Sequence, residues 1–460
     1  MGRVLLMMRE DPPVRFLIIG GGPAGTAAAS TASALGADVI LVEDSVLGGA
    51  AHLRDCIPSK AMAAMSIRMN AIRNSEDLGI VGGGAGVDLG RLADRIQKIT
   101  SMISGRSTEL LQSQGIDIVK GRGRFLGPNK AAVMVDGTER TIPFDAALVS
   151  TGSRPRVPPW ARVDGERLLT TRHVYDLPAP PEHVVVIGSG VTGVEMVHIF
   201  ESLGSRVSLL VSRHHVLPHR DAEVAAALEA DFLERGVSLL KGARAVGIDN
   251  DGYGVVVHVG DGRRVEGSHA LLAVGAVPNT EGLGLEEAGI DTRHGVIAVD
   301  RHQRTSVPHV YAAGDVTGQM LLSSVANQQG RNLARHVTGH PAKFIDYSNV
   351  AQAIFTEPEI ASVGLEEADA AAEGRKVRIT KVPFTANPRS VIHGSTRGFA
   401  KVVSDPATRV VLGGTIVGHR ASELIGILAL ATRAKVKVQT LRETLMVHPT
   451  LSESISDAGD

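Results

Sequence analysis

The stretch Val14-Arg15-Phe16-Leu17-Ile18-Ile19-Gly20-Gly21-Gly22-Pro23-Ala24-Gly25 decides the fold. An apolar run ends in a cluster of glycines, and an Ala-rich helical stretch follows to about Leu35. Asp38 to Val42 then reads as a second strand, ending at Glu43. Strand, glycine turn, helix, strand is the opening of a parallel α/β sheet. In such a turn the first glycine, here Gly20, makes the tight bend. The second, Gly22, lets backbone approach a pyrophosphate, and the third, Gly25, lets the helix pack on the strand. Pro23 and Ala24 stand at the helix start, where free N–H groups meet phosphate. An acid about 20 residues on can hold a ribose hydroxyl, and Glu43 fits that role.

The same pattern returns between His183 and Val211. Val184 to Ile187 is the strand, and Gly188-Ser189-Gly190-Val191-Thr192-Gly193 is the turn. Val194 to Leu203 is the helix, and Arg206 to Val211 the second strand. Two copies, each between an apolar strand and a helix, point to two nucleotide-binding domains in one chain. Prolines at 155, 158, 159, 178, 180 and 181 punctuate the entry to the second copy. From about Asp346 the texture changes. Short β-like runs such as Ala351–Phe355 and Gly398–Val403 precede a helical stretch, Ala421 to Ala434, which reads as an α+β domain. The expected class is α/β: two Rossmann-like domains and a C-terminal α+β domain.

Composition narrows the function. The 460 residues suffice for about three domains of ordinary size. Lys plus Arg number 48 and Asp plus Glu 49, a formal charge of −1, so no basic excess exists to bind nucleic acid. Aromatics at 3% also argue against base-stacking surfaces. In Met1 to Arg9 the apolar run Val4-Leu5-Leu6-Met7-Met8 is shorter than the roughly 7–15 residues of a signal-peptide core, so a loose extension is expected there. No stretch approaches the ~18 apolar residues of a membrane span. The reading is a cytoplasmic protein without stable membrane insertion.

The chain has one cysteine. It lies in Leu47-Gly48-Gly49-Ala50-Ala51-His52-Leu53-Arg54-Asp55-Cys56-Ile57-Pro58-Ser59-Lys60. This segment resembles the signature of the flavin disulfide reductases, the family of lipoamide dehydrogenase and glutathione reductase. Ser150-Thr151-Gly152 resembles that family's Ala-Thr-Gly element, and Gly314-Asp315 its Ala-x-Gly-Asp element. His448-Pro449-Thr450-Leu451-Ser452-Glu453 resembles its His-Pro-Thr-x-x-Glu element. The resemblance runs from Val14 to Glu453. It implies an FAD-binding domain over 1–154 continued by 275–345, an NAD(P)-binding domain over 155–274, and a dimerisation domain over 346–460. It also implies FAD contacts at the first glycine turn, Glu43, Gly49, Ala50, Lys60, Gly123, Thr151, Gly152 and Asp315. NAD(P)H contacts are implied at Gly188, Gly190, Val191, Thr192, Gly193, Glu195, Ser212, Arg213 and Gly275.

The resemblance further implies that Lys60 lies near flavin N5 and pairs with Glu195. It implies that Cys56 faces the flavin, and that His448, oriented by Glu453, works across a homodimer interface. The family signature carries two cysteines with four residues between them. Here Cys56 holds the second position and Ala51 the first. Hydride can then enter the flavin but cannot leave by dithiol exchange, so the expected acceptor is one that takes electrons from flavin directly, a quinone foremost. Rival readings are a soluble pyridine nucleotide transhydrogenase, a single-cysteine thiol or peroxide reductase, and a low-turnover flavin redox sensor. The transhydrogenases keep the first cysteine and lose the second, the opposite of this chain. NAD-specific members of the family carry an acid where Val211 stands. Ser212 and Arg213 follow, so nothing repels a 2′-phosphate and Arg213 attracts one. NADPH is expected to be accepted, with NADH beside it. His214, His215 and His219 lack the Cys or carboxylate pattern of a metal site and read as a polar loop; no metal is expected.

Overall fold

The computed structural model describes residues 12–82 and 84–459. The extension Met1–Arg9 lies outside the described residues. The chain divides into two compact units. The first takes the chain up to Cys56, then Lys98–Arg154 and Val277–Ile345. The second takes Ile57–Gln97, Pro155–Ala276 and the chain from Asp346 onward.

The first unit is built on a parallel sheet in the order Val310–Ala312, Ala146–Val149, Arg15–Ile19, Asp38–Glu43, Asp117–Lys120. The second unit repeats the plan with Ser238–Lys241, Arg206–Val211, His183–Ile187, His269–Leu272 and Leu168–Thr170. In each, the strand that ends in the glycine turn is central, and the next strand of the βαβ unit pairs beside it. Ile18 faces Leu41 in one, and Val186 faces Leu209 in the other. Parallel sheets are covered on both faces, which is why these strands read as unbroken apolar runs. Phe16, Ile18 and Leu41 pack on one side of the first sheet, while Leu17, Ile19 and Val42 pack on the other with Phe125 and Phe144.

Helix α1 (Pro23–Ala34) is Ala-rich for a packing reason. Helix Ser323–Val337 crosses it so closely that a Cβ at Gly330 would stand 2.2 Å from the Ala24 carbonyl oxygen. Larger side chains would separate the two helices and pull the glycine turn off the sheet. The second unit carries α2 (Ile57–Arg73) and α4 (Val191–Ser202), with α3 (Leu89–Ser113) between them in sequence. It also carries an antiparallel sheet in the order Gln352–Ile354, Ile360–Gly364, Val411–Val417, Phe399–Ser404, Arg378–Pro383, with helix Ala421–Arg433 on one face. This is the expected α+β module. The α/β class read from the two glycine turns is the observed one.

In the second unit Lys401 is 1% exposed, and its ammonium sits among Asp221, Glu223 and Glu367. These three carboxylates lie close enough to share a cation, and the lysine is that cation. The histidines 214, 215 and 219 form no such cluster among the described residues. No helix among the described residues is long and apolar enough to cross a membrane.

Candidate functional site

The two glycine turns divide labour among their glycines in the same way. Gly20 has φ +104°, and a Cβ there would stand 2.4 Å from the Ser150 carbonyl oxygen. At Gly25 a Cβ would stand 2.0 Å from the Gly20 oxygen. The corresponding distances are 2.3 Å from Gly188 to Ala273 and 1.8 Å from Gly193 to Gly188. The outer glycines are therefore required by the fold itself. The middle ones are not: a Cβ at Gly22 would meet its nearest atom at 3.8 Å, and one at Gly190 nothing within 4 Å. Each middle glycine stands at the N-terminus of a helix that no side chain caps. Open space before uncapped N–H groups suits a pyrophosphate at both turns. Pro23 and Ala24 form the first turn of α1, and Val191 and Thr192, both exposed, the first turn of α4.

Gly190→Val separates the two demands. The backbone there, φ −75° and ψ −174°, accepts valine. If this turn holds NAD(P)H, as the resemblance implies, we expect an unchanged melting temperature and a KM for the dinucleotide raised about tenfold, as overpacking costs of about a kcal/mol or more imply. Steady-state kinetics beside calorimetry checks this.

Glu43 ends the second strand of the first unit and is 9% exposed. Its two oxygens accept the N–H groups of Gly21 and Ser45, each at 2.7 Å. Burial pushes its pKa up against the pull of those two bonds. Each oxygen keeps a lone pair for a ribose hydroxyl. Beside it lies a cavity of about 360 Å³, lined among others by Leu47, Ser101, Ser104, Thr108 and Lys120. The buried Ser104 hydroxyl has no hydrogen-bond partner among the described residues. A roomy cavity with an orphaned hydroxyl beside a buried carboxylate fits the adenosine end of FAD.

The other first-unit residues gather around the same turn. The Gly48 N–H donates to the Gly21 oxygen at 2.7 Å, and a Cβ at Gly49 would stand 3.1 Å from the Gly22 Cα. Ala50 follows and leads into a π-helical turn, Ala51–Asp55. Gly123 packs on Ile19, which a Cβ would meet at 3.2 Å, so this glycine has a structural use of its own. Thr151 donates its hydroxyl to the Asn279 oxygen at 2.7 Å, and Gly152, φ +70°, accepts the Asn279 N–H. Asp315 follows Gly314 and accepts the Ser153 hydroxyl at 2.7 Å, and burial pushes its pKa up. Gln329 accepts the Gly314 N–H at 2.7 Å. Ser104, Ser153, Asn279 and Gln329 are additions to the residues read from sequence.

In the second unit α2 and α4 bring Lys60 and Glu195 together. The Lys60 ammonium is 3.0 and 2.8 Å from the two carboxylate oxygens. The lysine side chain is 30% exposed and the glutamate 7%. Cys56 precedes α2 directly, is half-buried, and is in no disulfide. Its N–H closes the π turn on the Ala51 oxygen at 3.2 Å. Ser212 and Arg213, both exposed, follow the strand Arg206–Val211. Gly275, φ +95°, accepts the Arg156 N–H at 2.9 Å. His448 Nδ1 lies 2.8 Å from Glu453, whose other oxygen accepts the Thr450 N–H at 2.7 Å. The Thr450 bond, and then His448, hold that carboxyl below its usual range. The imidazole is 70% exposed. An oriented, accessible imidazole can exchange a proton with a ligand.

Comparison with known proteins gives the lineage. Residues 14–330 match the model of the pyridine nucleotide-disulphide oxidoreductases, and residues 350–458 that of their dimerisation domain. A Mycobacterium tuberculosis protein named NAD(P)H dehydrogenase (quinone) is 41% identical over 96% of this chain and 93% of its own. A dihydrolipoyl dehydrogenase of Bacillus subtilis is 33% identical over 99% of this chain and 98% of its own. Among solved structures, LpdA from M. tuberculosis superposes with a TM-score of 0.92 at 40% identity, covering 97% of this chain and 99% of that one. The HOCl-induced flavoprotein disulfide reductase RclA from Escherichia coli gives 0.87 at 25% identity, with the same coverage. With both family models matched across nearly all of its length, this chain belongs to the pyridine nucleotide-disulphide oxidoreductases, FAD-dependent enzymes that use NAD(P)H.

Proposed function

We propose that this oxidoreductase, working as a cytoplasmic homodimer, takes electrons from NAD(P)H and delivers them to a quinone-type acceptor with no disulfide relay. The observation that carries the reading is Ala51, standing at the first cysteine position of the family signature, in a chain whose one cysteine is Cys56 at the second. Bound FAD supplies a two-electron carrier that can release electrons singly or in pairs. The chain's own residues bind and orient. The N-termini of α1 and α4 take the pyrophosphates of FAD and NAD(P)H. Glu43 and Asp315 hold hydroxyls of FAD. Lys60, fixed by Glu195, marks the place where the nicotinamide delivers hydride. Arg213 favours the 2′-phosphate of NADPH, with NADH accepted beside it. His448, oriented by Glu453, holds a proton for a quinone oxygen in the site of the second copy. The name of the mycobacterial relative supports the choice of acceptor.

Anaerobic titration with NADPH, followed by turnover with menadione and with lipoamide, tests the proposal. Two electrons per flavin and fast menadione reduction are expected. Brisk turnover of lipoamide would sink it. Retention of Cys56 and the His448–Glu453 pair favours a second reading, a single-thiol route. Loss of menadione reduction in Cys56→Ser would select that route instead.

A further inference from the structure

We infer that Phe355 is a positioning residue for the nicotinamide half-reaction: its ring and its peptide N–H together hold Lys60 and Glu195 in the arrangement that flavin reduction uses. The inference rests on the role proposed above for that ion pair.

Phe355 follows strand Gln352–Ile354, whose last residue is 1% exposed. Its N–H donates to Glu195 Oε1 at 3.0 Å. Its ring lies under the Lys60 ammonium, 4.8 Å from the centroid. One residue thus touches both charges of the pair. The two contacts do different work. The peptide N–H fixes the carboxylate, which two donors then hold on the same oxygen. The ring adds a second hold on the ammonium, which the carboxylate grips at 3.0 and 2.8 Å and which ends a flexible four-carbon stem. A cation within about 6 Å of a ring centroid is drawn to the negative face, more strongly when partly desolvated.

The segment that delivers Phe355 is itself pinned. The Thr356 hydroxyl donates to the Pro358 oxygen at 2.7 Å. Glu357 accepts the Asn70 side-chain N–H at 2.6 Å. Asn70 lies on α2, the helix that carries Lys60. Phe355 and Glu357 therefore tie α2 at two points and α4 at one. A random packing contact would not need that much support.

The test uses full-length, FAD-loaded protein with Phe355 replaced by trifluorophenylalanine, which keeps the ring's shape and weakens its negative face. Stopped-flow mixing with NADPH reads the limiting rate of flavin bleaching. We expect a drop of about two- to fivefold, little change in the NADPH concentration at half-saturation, and recovery in Phe355→Tyr. In a Lys60→Met background fluorination should cause no further loss, because the coupled partner is gone. A second readout needs no turnover: in lysine-labelled protein the Lys60 ε-methylene proton signal should be displaced upfield by the ring, and return in Phe355→Leu. An unchanged rate on fluorination, or an equal loss with Lys60→Met, overturns the inference. Lys60→Met bleached as fast as the parent would remove the underlying role of the pair, a separate failure visible before Phe355 is touched.

Discussion

Ala51→Cys should turn a two-electron protein into a four-electron one. A single hydrogen-bonded turn joins the two positions. The Cys56 N–H bonds to the Ala51 oxygen at 3.2 Å, closing a π-type turn over Ala51–Asp55. A disulfide needs its Cα atoms about 4.4–6.8 Å apart, and residues at the two ends of one hydrogen-bonded turn fall near that range. Both positions are half-buried, so a new thiol would not be lost to solvent oxidants alone. Anaerobic titration of the variant should consume two equivalents of NADPH per flavin instead of one, because a dithiol–disulfide couple stores a further electron pair. Thiol counts in denaturant should rise from none to two on reduction. Menadione turnover should persist, since the added couple drains electrons in parallel. If the variant still takes one equivalent and shows two thiols before reduction, the turn cannot close a bridge. Position 51 would then be a site rebuilt around alanine, and the absence of a sulfur would not explain the choice of acceptor.

What the sequence reveals depends on whether a function is local. The glycine turns are legible because much of the physical demand falls on nearby residues: Gly20 takes a φ of +104°, and Gly25 is forced by the Gly20 carbonyl oxygen five positions before it. The same holds for Glu43, placed by strand length alone. The Lys60–Glu195 pair joins residues 135 positions apart, and no spacing rule reaches that far; the family resemblance suggested it and the structure supplies the distances. Phe355 was hidden for a different reason. In Ala351–Phe355 an aromatic residue reads as strand filling, and half of its contribution is a peptide N–H that every residue but proline has. Ser104 left a faint trace: Ser101, Ser104, Gly105 and Thr108 put small residues on one face of α3, where the cavity lies. Lys401 left none, because a lysine within an apolar strand gives no hint that three carboxylates converge on it.

Glu195→Gln should slow flavin reduction by NADPH about a hundredfold, while FAD stays bound. The carboxylate is 7% exposed and accepts three hydrogen bonds, two from Lys60 and one from the Phe355 N–H. An amide has one oxygen. Whichever way it turns, an NH₂ group then faces a donor, either the ammonium or the peptide N–H. Leaving a buried donor unmet costs about 1–3 kcal/mol, which the structure escapes by letting Lys60 swing to solvent. A displacement of about 1 Å in a group that orients hydride transfer is enough for a loss on the order of 10²-fold. Glu195→Asp retains the charge on a shorter arm, so its loss should be smaller. The half-reactions separate the causes. Enzyme reduced chemically and then mixed with menadione should reoxidise at the parental rate, because in the proposed scheme Glu195 serves the nicotinamide step alone. Equal slowing of both halves would mean a general collapse of the site. Parental rates in both would make the ion pair a structural tie between α2 and α4, and the orienting role assigned to Lys60 would fall with it.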